Sequence, residues 1–393
     1  MSKCVPRLRF KADDGSEFPE WEEKKMAELF TRIVEKNRTD LSPLTIIQGQ
    51  GTVRRDESDR RIAYDEKGLK NYKAVKKDDF IVHLRSFEGG LEVANQDGIV
   101  SPAYHVYRGS GNVWPQFYYP YFRSNNFIKG RLAICVTGVR DGKNIEMDTF
   151  DELLLPCPSL PEQQKIASFL STIDEIITTT QSEFTAWEER KKGVMQKIFN
   201  REVRFKADDG SEFPEWEEKR LGDDVSFING RAYSQDELLV TGKYQVLRVG
   251  NLFTNDTYYY SNMELDEDKY IEDGDLIYAW SATFGPRIYH GNKCIYHYHI
   301  WKLKFDDKKI SKVFLNYLLE QDVENIKSQR TGGTMVHITK ATMESRQLLF
   351  PSLPEQKKIA DCLSSLDDVI NQIQAELSAW KELKKGLIQQ MFV

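Results

Sequence analysis

The sequence predicts an α+β protein: two globular domains, each a small twisted β-sheet plus helices, separated by a pair of long antiparallel coiled-coil helices and pseudo-two-fold symmetric. Three observations predict it. A stretch beginning PSLPEQ occurs at residues 158–199 and again at 351–392; the two copies align without a gap at an offset of 193, with more than half the positions identical. The segment RFKADDGSEFPEWEEK occurs letter for letter at 9–24 and 204–219. The stretches between these repeats share almost no sequence. One frame is written twice around unlike contents, the mark of an internal duplication.

In chain order, residues 1–25 are a polar lead whose Asp-Gly and Pro read as turn and loop. Phe18 and Trp21 recur as Phe213 and Trp216, so a surface that anchors them is expected twice. The first domain, 26–157, opens with MAELFTRIVEKN, whose Leu29, Ile33 and Val34 predict a short helix. FIVHL, GIVS and YHVYR predict strands, cut by Gly-Gly, Asp-Gly and Pro. WPQFYYPYFRSNN reads as the start of a helix and LAICVTG as a strand entering a turn. A long helix fills 158–200, and the second copy of the lead forms a linker at 201–220. The second domain, 221–350, follows a parallel plan in different letters. YQVLRVGNLF reads as a strand and turn, and GDLIYAWSATFGPRIYHGNKCIYHYHIWKLKF as β pieces punctuated by glycine. KVFLNYLLEQDVENIKSQ reads as an amphipathic helix. The second long helix fills 351–393.

The long helices carry a heptad seam. Its apolar positions are Ile166, Leu170, Ile173, Ile177, Phe184, Trp187, Val194 and Ile198 in the first helix. In the second they are Ile359, Leu363, Leu366, Ile370, Ile373, Leu377, Trp380, Leu387 and Met391. Steps of four and three give a period of 3.5, interrupted at Thr180 and at the matched Lys191 and Lys384. Ser-Leu-Pro followed by Glu162 or Glu355 starts each helix well. A helix of roughly 38 residues is about 57 Å long. Two seams of equal length favour packing against each other. Antiparallel pairing would place the domains at opposite ends of a rod longer than one turn of B-DNA, which advances about 34–36 Å.

Composition narrows the class. The chain has 393 residues with 40% apolar and 12% aromatic content, enough for sizeable cores. No apolar stretch approaches 18 residues and no signal-peptide pattern is present, so a soluble, cytoplasmic protein is expected. Cys4, Cys135, Cys157, Cys294 and Cys362 are scattered and without C-x-x-C spacing, which predicts reduced structural thiols, no disulfide framework and no bound metal. The net charge of −6 does not advertise nucleic-acid binding. Residues 26–150 nevertheless hold 19 Lys and Arg against 16 Asp and Glu, a local excess of three positive charges.

The duplicated PSLPEQ-x-KIA helix start, the T-G-G-T-x-x-H-I-T-K turn at 331–340, GDLIYAW at 274–280 and NQDGIVSPAYHVY at 95–107 are similar to the specificity subunit of type I restriction–modification systems, over essentially the whole chain. The resemblance implies two target-recognition domains, each reading one half of a split double-stranded DNA site. The paired helices would set the unread spacer and dock two modification (methyltransferase) subunits. Restriction (endonuclease and translocase) subunits would join that core. S-adenosylmethionine, ATP and Mg would reside on those partners, with no cofactor on this chain. In the first half, TGVRDGKN departs from the T-G-G-T turn, so contacts are not carried over to 138–143.

Reading DNA needs phosphate clamps and a few base-edge readers. In the first domain Arg54, Arg55, Arg60, Arg61 and Arg85 suit phosphate or bidentate guanine contacts. Lys76, with Lys77 beside it, could track the backbone. Ser86, Asn95, Gln96 and Ser101 are hydroxyl and amide readers. In the second domain the candidates are Arg231, Tyr233, Arg248, Asn251, Ser281, Thr283 and Arg287. Arg330, Gly332, Gly333 and Thr334 could offer a phosphate backbone N–H groups. Trp280 reads as core, and His297 and His299 as structural because no third metal ligand is evident.

Catalytic motifs are missing. GVRDGKN falls one residue short of a phosphate-binding loop. There is no N-P-P-Y signature, and Glu355-Gln356-Lys357 imitates a nuclease fragment that its counterpart at Glu162 breaks. These absences favour a non-catalytic adaptor. The competing readings are a stand-alone DNA-modifying or nuclease protein with duplicated DNA-binding arms, and a bridge between proteins.

Overall fold

The computed structural model describes residues 6–58, 66–138, 143–253, 255–281, 283–328 and 338–392. The chain forms two compact units, one of residues 1–181 with 375–393, the other of residues 182–374. Each therefore contains one globular domain and a piece of both long helices.

In the first unit, a four-stranded antiparallel sheet has the order Phe30–Ile33, His105–Gly109, Phe80–Val82, Glu92–Val93. Two further pairs flank it, Lys73–Val75 with Gly98–Val100 and Leu44–Ile47 with Gly51–Arg54. The helix Pro115–Phe122 starts with its proline at the first turn and buries Phe117, Tyr118, Tyr121 and Phe122. Phe30, Phe80 and Phe122 meet there at ring separations of 5.0–5.6 Å. This aromatic core corrects one expectation. MAELFTRIVEKN is helical only over Met26–Leu29; Phe30–Ile33 is a strand, because pairing with His105–Gly109 and burial of Phe30 override the local helical spacing. LAICVTG likewise begins as a 3₁₀ turn, Leu132–Cys135, that buries Leu132 and Cys135, and only Val136–Thr137 is extended.

The second unit has two four-stranded sheets. One runs Ser226–Asn229, Ile300–Lys304, Leu276–Ala279, Gly285–Ile288, antiparallel throughout. The other runs Tyr259–Ser261, Tyr244–Leu247, Cys294–Tyr296, Tyr270–Ile271 and contains one parallel pair. The helix Lys312–Ser328 buries Phe314, Leu315, Leu318 and Leu319 in the core beside the first of these sheets.

The long helices are Leu160–Phe199 and Leu353–Met391. Within the first unit, Lys384 pairs with Asp174 and Lys381 donates to Gln181 at 3.1 Å, so the two segments run antiparallel. Within the second, Lys191 pairs with Asp367 at 2.7 Å, and Met195 and Ile198 share a core with Ile359 and Leu363. Ile166, Leu170, Ile173, Ile359, Leu363, Ile370, Ile373 and Leu377 are buried; Ile177, Phe184 and Leu366 are half-buried. Two seam expectations change. Thr180 is buried rather than an interruption, whereas Trp187 and Trp380 are only half-buried. The Arg190 guanidinium covers the Trp187 ring, and Trp380 donates to Glu376, so both tryptophans keep a face or edge at the surface.

The repeated lead has a physical reason. Arg9 reaches Glu162 through two nitrogens at 2.9 and 2.8 Å, and Arg204 reaches Glu355 at 3.2 and 3.0 Å. Both glutamates are fully buried. The glutamines after them clamp the domains. Gln163 accepts from the Trp114 N–H and donates to the carbonyls of Asn112 and Pro158. Gln356 does the same with Ser311, Lys309 and Pro351. The strand after each lead pairs with the strand before each helix, Glu22–Lys25 with Leu154–Cys157 and Glu217–Arg220 with Gln347–Phe350. Trp21 then packs on Phe117, and Trp216 on Phe199 and Phe314.

The four described cysteines are free thiols. No described helix is long and apolar enough to cross a membrane.

Candidate nucleic-acid interface

In the first unit the hairpin joining Leu44–Ile47 to Gly51–Arg54 is pinned from below. The Gly49 and Gly51 N–H groups donate to the Glu92 carboxylate at 2.7 and 3.1 Å, Tyr119 donates its hydroxyl at 3.0 Å, and Arg123 closes an ion pair on the same group. Asn95 donates to the carbonyls of Gln50 and Thr52. Gly51 has a positive φ of 81°, and a Cβ there would fall 2.6 Å from the Val93 carbonyl oxygen, so only glycine fits. Asn95 thus fixes the hairpin turn, and its amide is engaged by backbone.

The other first-domain candidates divide by what they touch. Arg54 is held by Asp56 at 3.1 and 2.8 Å, with Glu57 at 3.6 Å. Arg55 donates to Thr45 and Tyr72 and lies over the Tyr72 ring. Arg60 and Arg61 lie outside the described residues. Lys76 and Lys77 are exposed at a turn whose N–H groups are capped by Asp79 and Asp97. Arg85 is largely exposed, with Glu88 3.8 Å away. Ser86 is buried, its hydroxyl taken by the His83 N–H, which makes it part of the turn. Gln96 and Ser101 are half-buried, and Ser101 accepts from the Ala103 N–H.

In the second unit Arg231 is bound by both oxygens of Glu237, at 3.0 and 2.7 Å, and lies over the Tyr233 ring. Arg231 holds the Glu237 carboxyl down at about 2, helped by the Ser234 N–H. Tyr233 packs in a minor core with its hydroxyl on the Tyr296 carbonyl. Asn251 is consumed by its own turn: it accepts from the Arg248 N–H and donates to the carbonyls of Asn255 and Thr257. Ser281 is buried. Thr283 and Arg287 are exposed, Arg287 over the Phe253 ring. Arg248 stacks 4.3 Å from the centre of the Tyr259 ring, and its buried Nε has no acceptor among the described residues. Arg330, Gly332, Gly333 and Thr334 lie outside the described residues.

Each unit also has a cleft between its domain and its helix pair. The first, about 570 Å³, is lined by Gly49, Asn95, Arg123, Asp174, Lys384 and Lys385, among others. The second, about 560 Å³, is lined by Thr283, Arg287, Lys191, Lys192, Lys327 and Asp367, among others. The helix residues are counterparts at the repeat offset of 193: Asp174 and Asp367, Lys191 and Lys384, Lys192 and Lys385. In the sequence Lys191 and Lys384 read only as breaks in a seam, and neither Glu92 nor Arg123 stands out. The recurrence of Lys-Lys at matched places was the available signal. No group of three or more His, Cys, Asp or Glu side chains among the described residues is placed to hold a metal ion. Glu355 and Gln356 serve as clamp residues in the frame.

The model of the "Type I restriction modification DNA specificity domain" matches the chain twice, over residues 19–185 and 214–379. The chain belongs to the type I DNA specificity family. The putative type I restriction enzyme MjaX specificity subunit of Methanocaldococcus jannaschii is 26% identical over 409 residues, spanning 96% of this chain and 94% of that protein. The MjaVIII specificity subunit of the same organism is 26% identical over 62% of each chain. The type I restriction–modification S subunit from M. genitalium shares the fold at a TM-score of 0.56 and 16% identity, covering 99% of both chains. A chain from a structural study of assembly and conformational transition of the type I R-M system superposes at 0.59, also at 16% identity, over 95% of this chain and 98% of that one. Each match spans one of the two unlike domains and runs into the long helix that follows it.

Proposed function

We propose that this chain is the non-catalytic subunit that gives a type I restriction–modification complex its DNA address. Each specificity domain reads one half of a bipartite duplex target. The paired helices set the unread spacer and supply the platform for two modification subunits, which carry S-adenosylmethionine and methylate adenine. Restriction subunits bring ATP hydrolysis, Mg and cleavage to the same core. The observation that carries this reading is the repeated frame around unlike contents. The Arg–Glu and Gln clamps recur residue for residue, whereas the exposed cations of the two domains do not correspond. A duplicated scaffold with two different reading surfaces suits an asymmetric split site.

The test is to purify the chain with its methyltransferase partner, add S-adenosylmethionine and map modified adenines across genomic DNA. A single bipartite motif is the expected result. Methylation without a split motif, or cleavage and methylation by the isolated chain, would overturn the proposal.

A further inference from the structure

An aromatic ladder in the second unit leads from the core to the surface. Tyr278 stacks on Trp301 at 5.9 Å and 24°, and Trp301 on Trp280 at 5.8 Å and 21°. Trp280 meets the ring of His299 edge-on at 4.8 Å and that of Tyr298 at 6.0 Å. Among the described residues the ladder reaches the turn His297-Tyr298-His299, where successive rings lie 4.4 and 4.1 Å apart and Tyr298 is 39% exposed.

The turn is held on three sides. Trp280 donates its indole N–H to the Tyr298 carbonyl at 2.9 Å, the Tyr298 N–H donates to the Arg231 carbonyl, and the His297 N–H donates to the Leu247 carbonyl. A rigid aromatic tip raised from a sheet loses little conformational entropy on contact. Its setting is polar and cationic. Arg248 follows Leu247 directly and is half-buried, its guanidinium held over the Tyr259 ring at 4.3 Å. Arg231, by contrast, is already neutralised by Glu237. Burial, His299 and Arg248 push the His297 imidazole down to about 4, so at neutral pH that ring is uncharged; its Nδ1 accepts from the His299 N–H at 3.4 Å, which leaves Nε2–H as a donor.

We propose that the Tyr298 tip, with Arg248 beside it, is the base-contacting element of the second domain. Tyr298 presses an apolar ring against base edges in a groove, and Arg248 supplies the guanidinium for a guanine edge or the adjoining phosphate. This rests on the DNA-specificity reading and narrows it to two residues.

The experiment uses the full chain assembled with its methyltransferase partner. Binding is measured to duplexes altered base by base in either half-site, at several salt concentrations, for wild type, Tyr298→Ala, Tyr298→Phe and Arg248→Lys. Thermal melting of each complex accompanies the measurements. Tyr298→Ala should weaken cognate binding at least about tenfold and flatten discrimination at positions of one half-site only. Tyr298→Phe should keep both. Arg248→Lys should relax discrimination at an adjacent position if it reads guanine, and lower affinity across all sequences if it holds phosphate. Unchanged discrimination by Tyr298→Ala in a complex that melts normally would overturn the proposal, as would equal losses at both half-sites. If the wild-type complex shows no split-site preference, the DNA-specificity reading itself fails, a result distinct from either.

Discussion

Glu92 shows what a fully buried carboxylate does in a recognition domain: two backbone N–H groups, a tyrosine hydroxyl and Arg123 converge on it. Glu92→Ala would orphan all four, and breaking a buried pair typically costs about 3–5 kcal/mol. Urea unfolding should register that loss, and the Leu44–Arg54 hairpin should become protease-sensitive. The Arg231–Glu237 pair gives a pH signature instead. Because the folded Glu237 titrates at about 2, below its unfolded value, its contribution is present above the ordinary glutamate range and lost as pH falls toward 2. Glu237→Gln should flatten the acid limb of the second unit's stability curve; an unchanged limb would show the pair to be ornamental. Residue type was legible in the sequence, but pairing only in part. Asp56 stands two residues from Arg54, so that neutralisation could be read off. Glu237 closes on Arg231 through a local capped turn whose geometry the residue types alone leave open, and Asn95 spends its amide on a hairpin more than forty residues away, a fact of tertiary geometry.

At the level of elements, the strongest sequence signals were the periodic ones. A 3.5-residue seam over about nine turns can form little else than a helix, and both long helices are present with buried isoleucines and leucines at the expected steps. Short elements were weaker because a few residues cannot distinguish periods. Phe30–Ile33 took its conformation from a partner strand seventy-odd residues on. The repeated lead was plain as a repeat, but its purpose was not, because Arg9 and Glu162 meet only in the fold. That clamp is testable. Arg9→Ala and Arg204→Ala should each destabilise the protein by about 3–5 kcal/mol, since each leaves a buried glutamate unpaired. Adding Glu162→Gln or Glu355→Gln to the matching alanine variant should recover part of the loss, measured as a double-mutant cycle by chemical denaturation. Full additivity would mean that the pairs contribute no coupling and the lead is held by its strand and tryptophan alone.

For the whole molecule, duplication separates address from distance. If the unlike domains carry the half-sites, replacing residues 26–157 with the same segment of a relative should change one half of the methylated motif and leave the other intact. The helices make the complementary prediction. One heptad inserted at equivalent points of both long helices preserves the seam and adds about 10.5 Å, close to the rise of three base pairs. The seam returns to nearly the same face after seven residues, drifting by only ~20°, whereas DNA turns through about a third of a revolution over three base pairs. The longer complex must therefore twist or bend its target. Methylome mapping should show unchanged half-sites around a lengthened spacer, with affinity reduced by the deformation. Altered bases within a half-site would show that the helices shape the reading surfaces, and a spacer of unchanged length would show that the modification subunits, not these helices, set the distance.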